Sequence, residues 1–217
     1  MTQRRHASDK TTRVDAATLL SAADRLLSAH GPSALTARKI ADAAGTSTMA
    51  IYSRFGATAG LHRSLRRDGF GRLANLTTVA ARSDDPVAAL AAASSAYLDF
   101  GVAEPHLYRF MFVDADPAAS DETRVEPGDV AGREAFATVR NLLRACIAAE
   151  RFAAVDDDLV TIWAAQVWAL QHGTTTLALT GTVAPDLAHD VLEDGLLRLC
   201  IGYGDDATRA EASIAAA

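Results

Sequence analysis

The chain is poor in the residues that build covalent, metal or catalytic frameworks. Its two cysteines, Cys146 and Cys200, stand far apart and outside any CxxC or metal-ligand spacing, so they form neither a disulfide framework nor a zinc site and read as buried thiols. The six histidines (His6, His30, His62, His106, His172 and His189) are scattered. There is no HExxH, no Ser/His/Asp grouping and no glycine-rich phosphate cradle of the GxGxxG or GxxxxGK[ST] type. The expectation is therefore a protein that is not an enzyme, with no catalytic residue, metal or cofactor. Six prolines and few β-branched runs argue against a sandwich or barrel. No apolar run reaches the roughly 18 residues needed to span a bilayer, and the polar start Met1-Thr2-Gln3-Arg4-Arg5 leads into no signal-peptide core. A soluble, cytoplasmic protein without a membrane partner is expected.

What is present suits a folded α-rich chain. Of the 217 residues 49% are hydrophobic and 22% charged, enough for a sizeable core in one domain or two small ones. The net charge of −6 conceals a split. Residues 1–73 hold twelve Lys/Arg against five Asp/Glu, a net +7, and the rest of the chain carries −13. A basic end attracts phosphates while an acidic body is repelled by them, which orients the molecule on a duplex as well as binding it.

Residues 1–13 are polar and basic without periodicity, as in a flexible arm. Leu19, Leu20, Ala23, Leu26 and Leu27 then make one buried stripe on a helix from Asp15 to His30, stopped by Gly31-Pro32. Thr36 is placed to cap a short helix that ends near Gly45, with Leu35 and Ile40 at staple positions; Ser47 is placed to cap a second, Thr48 to Phe55. Helices of about eight residues are not stable alone, so these two must pack on the first. A longer segment follows from Ala57 to about Val79. Further helices fit Asp85 to about Val102, Glu104 to Phe112, Asp129 to about Glu150, Asp156 to about Thr180 and Pro185 to about Ile201. Val113 to Gly128 reads as a loop, and the tail beyond Gly202 as frayed.

A helix, a glycine turn and a second helix suffice to lay a helix in a major groove about 12 Å wide. Here Leu35-Thr36, Ile40-Ala41-x-x-Ala44-Gly45-Thr46-Ser47 and Ile51-Tyr52-x-x-Phe55-Gly56-x-x-x-Gly60-Leu61 resemble the signature of the TetR family of repressors. The resemblance implies an all-α fold: a three-helix helix-turn-helix DNA-binding domain over 14–60, followed by a helical-bundle domain for ligand binding and dimerisation over 61–204. It places Thr36 and Tyr52 at phosphate-binding positions, and Ser47, Thr48, Met49, Ser53 and Arg54 on the groove- or backbone-facing side of the recognition helix. Packing aromatic and solvated charge are the plain alternatives for Tyr52 and Arg54. One departure is Thr58, where family members often carry a lysine; a phosphate contact there would be neutral and weaker. Arg4 and Arg5 could enter a minor groove or simply be solvated.

The C-terminal part resembles, more loosely, a TetR subgroup named for a Trp-His-Gly pattern, through Trp168-Ala169-Leu170-Gln171-His172-Gly173, Tyr97-Leu98-Asp99-Phe100 and Pro105 to Phe112. Aromatics gather between Tyr97 and Phe112 well above the chain average of 6%. Tyr97, Phe100, Phe110 and Met111, faced by Trp163, Trp168 and His172 from a later helix, are the expected ligand-binding residues, for a small apolar effector; a plain hydrophobic core is the alternative. The family resemblance also implies a homodimer on a palindromic operator of double-stranded DNA, with Leu187, Val191, Leu192, Leu196 and Leu199 filling a shared core. The competing reading is a helical ligand-binding protein of the same architecture without operator binding.

Overall fold

The computed structural model describes residues 14–112 and 130–217, so the expected arm and the Val113–Gly128 loop lie outside the described residues. Among these, the chain is helical throughout: α1 Ala16–His30, a 3-10 turn Pro32–Ala34, α2 Ala37–Ala43, α3 Thr48–Phe55, α4 Thr58–Ala80, α5 Pro86–Ala103, α6 Pro105–Phe112, α7 Val130–Ala148, α8 Asp157–Leu179, α9 Pro185–Gly202 and α10 Ala207–Ala215. They form two compact units that divide between His62 and Arg63.

The first unit starts where Asp15 caps α1, its carboxylate accepting from the Thr18 amide at 2.8 Å and the Thr18 hydroxyl at 2.7 Å. These hydrogen bonds hold its pKa below the usual 3.8. Leu19, Ala22, Ala23 and Leu27 are fully buried, whereas Leu20 and Leu26 of the expected stripe are only half-buried. Gly31 ends α1 at φ 73°, a conformation open to glycine and costly for side-chain-bearing residues. As expected, Thr36 caps α2 by accepting from the Lys39 amide at 3.4 Å. Gly45, at φ 66°, makes the turn into α3. Ser47 stands at the N-cap of α3, but its side chain makes no capping hydrogen bond, contrary to the sequence reading. α1, α2 and α3 pack on one another, with Ile40, Ile51 and Leu61 fully buried.

The second unit is built around α5, which packs against α6, α7, α8, α9 and α10. At 18 residues α5 is, by length and composition, apolar enough to cross a membrane, which the sequence reading did not expect; two-thirds of it is buried inside the unit. A mostly apolar helix is what the centre of a bundle requires. Gly101 allows α8 to come close: a Cβ there would collide with Thr175 Cγ2. The tail expected to fray beyond Gly202 instead forms α10, capped by Asp206 and packed on α5 and α9 through buried Ala210, Ser213 and Ile214. The two thiols, Cys146 and Cys200, are free and buried, and burial pushes the Cys200 pKa up to about 12.

Arg151 fastens the ends of these helices. Its guanidinium holds Asp205 in a fork, Nε to Oδ1 at 2.9 Å and Nη2 to Oδ2 at 2.7 Å. Nη1 reaches Asp85 Oδ1 at 2.9 Å, and Nη2 also donates to Ser213 Oγ at 3.0 Å. The Arg151 and Asp205 side chains are 1% and 2% exposed. Asp85 caps α5 as well, accepting from the Val87 and Ala88 amides. Burial alone would raise its pKa, but the Ser213 hydroxyl, those amides and Arg151 together hold it below 3.8.

Removing one partner of a buried pair strands the other charge, which costs about 3–5 kcal/mol. Arg151→Met is therefore expected to destabilise the chain by about that amount in urea unfolding, and Arg151→Met with Asp205→Asn to recover part of the loss. The carboxylate of Asp85 stabilises the fold above its unfolded pKa, and that contribution is lost as pH falls through its lower folded pKa.

Candidate nucleic-acid interface and cavity

The first unit buries one side of α3 and exposes the other. Ile51 is fully buried and Phe55 half-buried, while Ser47, Thr48, Met49, Tyr52, Ser53 and Arg54 are exposed. Met49 is 70% exposed and Tyr52 47%. Met49 is the most exposed large hydrophobic side chain among the described residues. Ser53 Oγ donates back to the Ala50 carbonyl at 3.0 Å, leaving its lone pairs as acceptors. Thr36 Oγ1 accepts in its cap, so its hydrogen is what it has to offer a phosphate. Behind this face His62 Nε2 lies 2.9 Å from the Leu35 carbonyl; a carbonyl only accepts, so Nε2 carries the proton.

The basic excess read from the sequence is not all available to an anion. Arg66 is 7% exposed: Nε and Nη2 donate to the Phe110 carbonyl at 3.2 and 3.1 Å, and the guanidinium sits 5.0 Å from the Phe110 ring centre. Arg72 pairs with Asp68 at 2.8 Å.

In the second unit, three of the seven expected ligand residues come together. Tyr97, Trp168 and His172 join Tyr108 and Phe112, with Phe112 in the middle: its ring centre is 4.7 Å from Tyr108, 5.0 Å from His172, 6.2 Å from Trp168 and 6.4 Å from Tyr97. Tyr108 and Phe112 lie in the aromatic-rich segment read from the sequence but were not among the expected ligand residues. Their spacing of four was the signal, since it puts them about 40° apart on a helix, with Phe110 about 160° away from each. Phe110 accordingly packs beside Arg66, Met111 is buried near Gly69, and Phe100 is buried without joining this aromatic group. Trp163 lies elsewhere, stacked on Tyr203 at 4.3 Å and edge-on to Phe152. Trp163 and Trp168 are five residues apart on α8, hence about 140° apart, and cannot face one site together.

Beside this group is a small cavity lined by Leu73, Thr77, Ala93, Tyr97, Ala135, Thr138, Val139, Leu142, Trp168 and Gln171. Tyr108 OH and His172 Nδ1 are 2.6 Å apart, and Tyr97 OH lies 3.2 Å from Tyr108 OH. Burial raises the Tyr108 pKa to about 12, so the phenol donates and Nδ1 accepts. Burial also holds the His172 pKa below 6.5.

The chain thus combines a helix-turn-helix unit that exposes one face of α3 with a second, helical unit, as DNA-binding regulators do. Comparison with known proteins gives the family: the sequence model for bacterial regulatory proteins of the tetR family matches residues 19–65, and that for a tetracyclin repressor-like C-terminal domain matches residues 90–199, about half of the chain. The chain belongs to the TetR family of transcriptional regulators. No curated protein matches it in sequence. Among solved structures it is similar to a protein of unknown function from Rhodococcus sp. RHA1, at 23% identity and a TM-score of 0.72, covering 93% of this chain and 100% of that one. It is similar to RolR in complex with resorcinol, at 15% identity and TM-score 0.66 over 92% of both chains. It is also similar to FadR from Bacillus subtilis in complex with stearoyl-CoA, at 16% identity and TM-score 0.68, over 84% of this chain and 98% of that one.

The lowered pKa of His172 has a sign that can be checked. The unfolded imidazole takes a proton near pH 6.5 and the folded one resists it, so stability present above about 6.5 is lost as pH falls through the folded value. Tm is expected to drop between about pH 7 and pH 5 more in the native chain than in His172→Gln, which keeps an acceptor for Tyr108. Equal slopes in the two proteins, followed by calorimetry, would exclude this contribution.

Proposed function

We propose that the protein is a cytoplasmic, homodimeric repressor that holds a palindromic operator through α3 and is released from it by a small, mainly apolar effector. The observation that carries this reading is the outward face of α3, with Met49 and Tyr52 exposed above a core anchored by Ile51. In this reading Thr36, Tyr52 and Arg54 meet phosphates, whose contribution depends little on sequence, while Ser47, Thr48, Met49 and Ser53 meet base edges or the adjacent backbone. Met49 suits a thymine methyl. Thr58 makes any phosphate contact at its position a neutral one.

The dimer surface needs revision against the sequence expectation. Leu192 and Leu196 are 1% exposed and belong to the core, whereas Leu187 and Val191 are 50% and 37% exposed, and Leu199 is half-buried. The five leucine and valine positions therefore do not make one stripe. The outward apolar residues of α8 and α9 are Ile162, Leu177, Leu187, Val191 and Ile201, of which Leu187 and Val191, on the first turns of α9, and Leu177, near the end of α8, are the set proposed to pair. A two-fold pairing of this set doubles the number of base pairs read. The effector part draws support from the cavity and from the small ligands, resorcinol and stearoyl-CoA, held by RolR and by FadR.

Duplexes selected from a random pool, titrated by fluorescence anisotropy, test the DNA contacts. Tyr52→Phe and Arg54→Ala are expected to weaken binding by about 1–3 kcal/mol on every sequence, whereas Ser53→Ala and Met49→Ala should alter which base is preferred. Affinity unchanged in the triple variant Tyr52→Phe, Arg54→Ala, Ser53→Ala would remove α3 from the interface. Sedimentation at micromolar concentration is expected to show a dimer that Leu187→Glu with Val191→Glu converts to monomer, with the operator affinity falling alongside.

A further inference from the structure

The cavity contains one polar atom whose needs are not met. Gln171 is 2% exposed, lines the cavity, and its Oε1 is a buried acceptor with no hydrogen bond among the described residues. The orientation of the amide follows from its neighbours. Ser94 Oγ gives its hydrogen to the Leu90 carbonyl at 2.7 Å, so toward Gln171, 2.8 Å away, it can only accept. Nε2 must therefore point at Ser94, and Oε1 is the end left free. The other polar side chains of the lining are engaged: Thr77 donates to the Leu73 and Ala74 carbonyls, Thr138 to the Glu134 carbonyl, and Tyr97 pairs with Tyr108. The rest of the lining is Leu73, Ala93, Ala135, Val139, Leu142 and Trp168, and no charged side chain is among it.

We propose that this cavity is a ligand site for a small, uncharged, mainly apolar compound bearing one hydrogen-bond donor, such as a phenol or an alcohol, with Gln171 Oε1 as the acceptor that selects it. The proposal rests on the effector reading above and specifies the chemistry of that effector. The apolar walls take the hydrocarbon, and the unpaired acceptor penalises any occupant that cannot donate. A charged compound would lose its hydration with nothing to replace it. As it stands the cavity has room for about one water. A larger ligand enters by displacing the half-buried Thr138 and Leu142 side chains.

Phenol, toluene and anisole are the probes, near-isosteres that differ in whether they donate. Binding to the full chain is followed by calorimetry and by Tm, without DNA. Phenol is expected to bind about tenfold more tightly than toluene or anisole, and Gln171→Leu to abolish or reverse that order. The proposal is overturned by any of three results: no probe binds, toluene or anisole matches phenol on the native chain, or the phenol preference survives in Gln171→Leu. Should Gln171→Leu fail to fold, the ranking of the three probes on the native chain decides by itself. A separate arm measures operator release. Phenol selectivity without release would leave the cavity assignment standing and remove the effector reading, and release without dependence on a donor would do the opposite.

Discussion

A mostly apolar helix that has to be covered on most of its surface organises the second unit. Only the stripe through Ala92, Ser95, Ala96 and Asp99 is left partly open, and α6 to α10 cover the rest of α5. Alanines at 88, 89, 91 and 93 and the glycine at 101 keep α5 thin, so those neighbours approach closely and bury large side chains against a small-residue surface. Its polar end is fixed separately. Asp85 both caps α5 and meets Arg151, which in turn holds Asp205 and Ser213. One guanidinium thereby joins the start of α5 to the turn after α7, the turn before α10 and α10 itself. Low dielectric makes this node strong when complete and costly when broken.

The same thinness creates the cavity. Ala93 on α5 faces Ala135 and Val139 of α7 without filling the space between Tyr97, Trp168 and Gln171. Larger aromatics gather just beside it around Phe112, where edge-to-face contacts with Trp168 and His172 and the Tyr108–His172 hydrogen bond hold the rings in place. A gap flanked by interlocked rings stays open more readily than one flanked by flexible aliphatic chains, because a stiff side chain cannot collapse into it.

Legibility in sequence followed the range of the interactions. The first unit was readable because its determinants are local: Asp15 and Thr36 cap the helices they precede, Gly31 and Gly45 take positive φ at the turns, and Ile51 faces inward by helical spacing. Ser47 stands where expected yet does not cap with its side chain, since position alone does not fix a rotamer. In the second unit the helices other than α10 were found and their facing was not. Aromatic density pointed to Tyr97–Phe112, but density ignores phase, so Phe110 and Trp163 were grouped with residues that lie on other faces of the same helices. Arg66 counts toward the basic excess of residues 1–73 but is buried against Phe110. The α10 helix was missed because only two of its apolar residues, Ala210 and Ile214, are buried; its partners are α5, α9 and the Arg151 node, most of them remote in sequence.

Gln171 shows why a single buried amide can set chemistry that composition does not reveal. Mid-helix in α8, it would ordinarily be a polar intrusion whose burial costs about 1–3 kcal/mol for each unmet group. Half of that cost is relieved by Ser94, whose own hydrogen is committed to Leu90. The relay from Leu90 through Ser94 to Gln171 fixes the amide in one orientation, because a flip would set two acceptors against each other. What remains is an oxygen held rigidly at an apolar wall, paired or unpaired according to what occupies the space before it. Discrimination at such a site arises chiefly from the penalty on the wrong occupant rather than from the strength of the bond to the right one. A mostly apolar cavity can in this way be selective while making a single hydrogen bond.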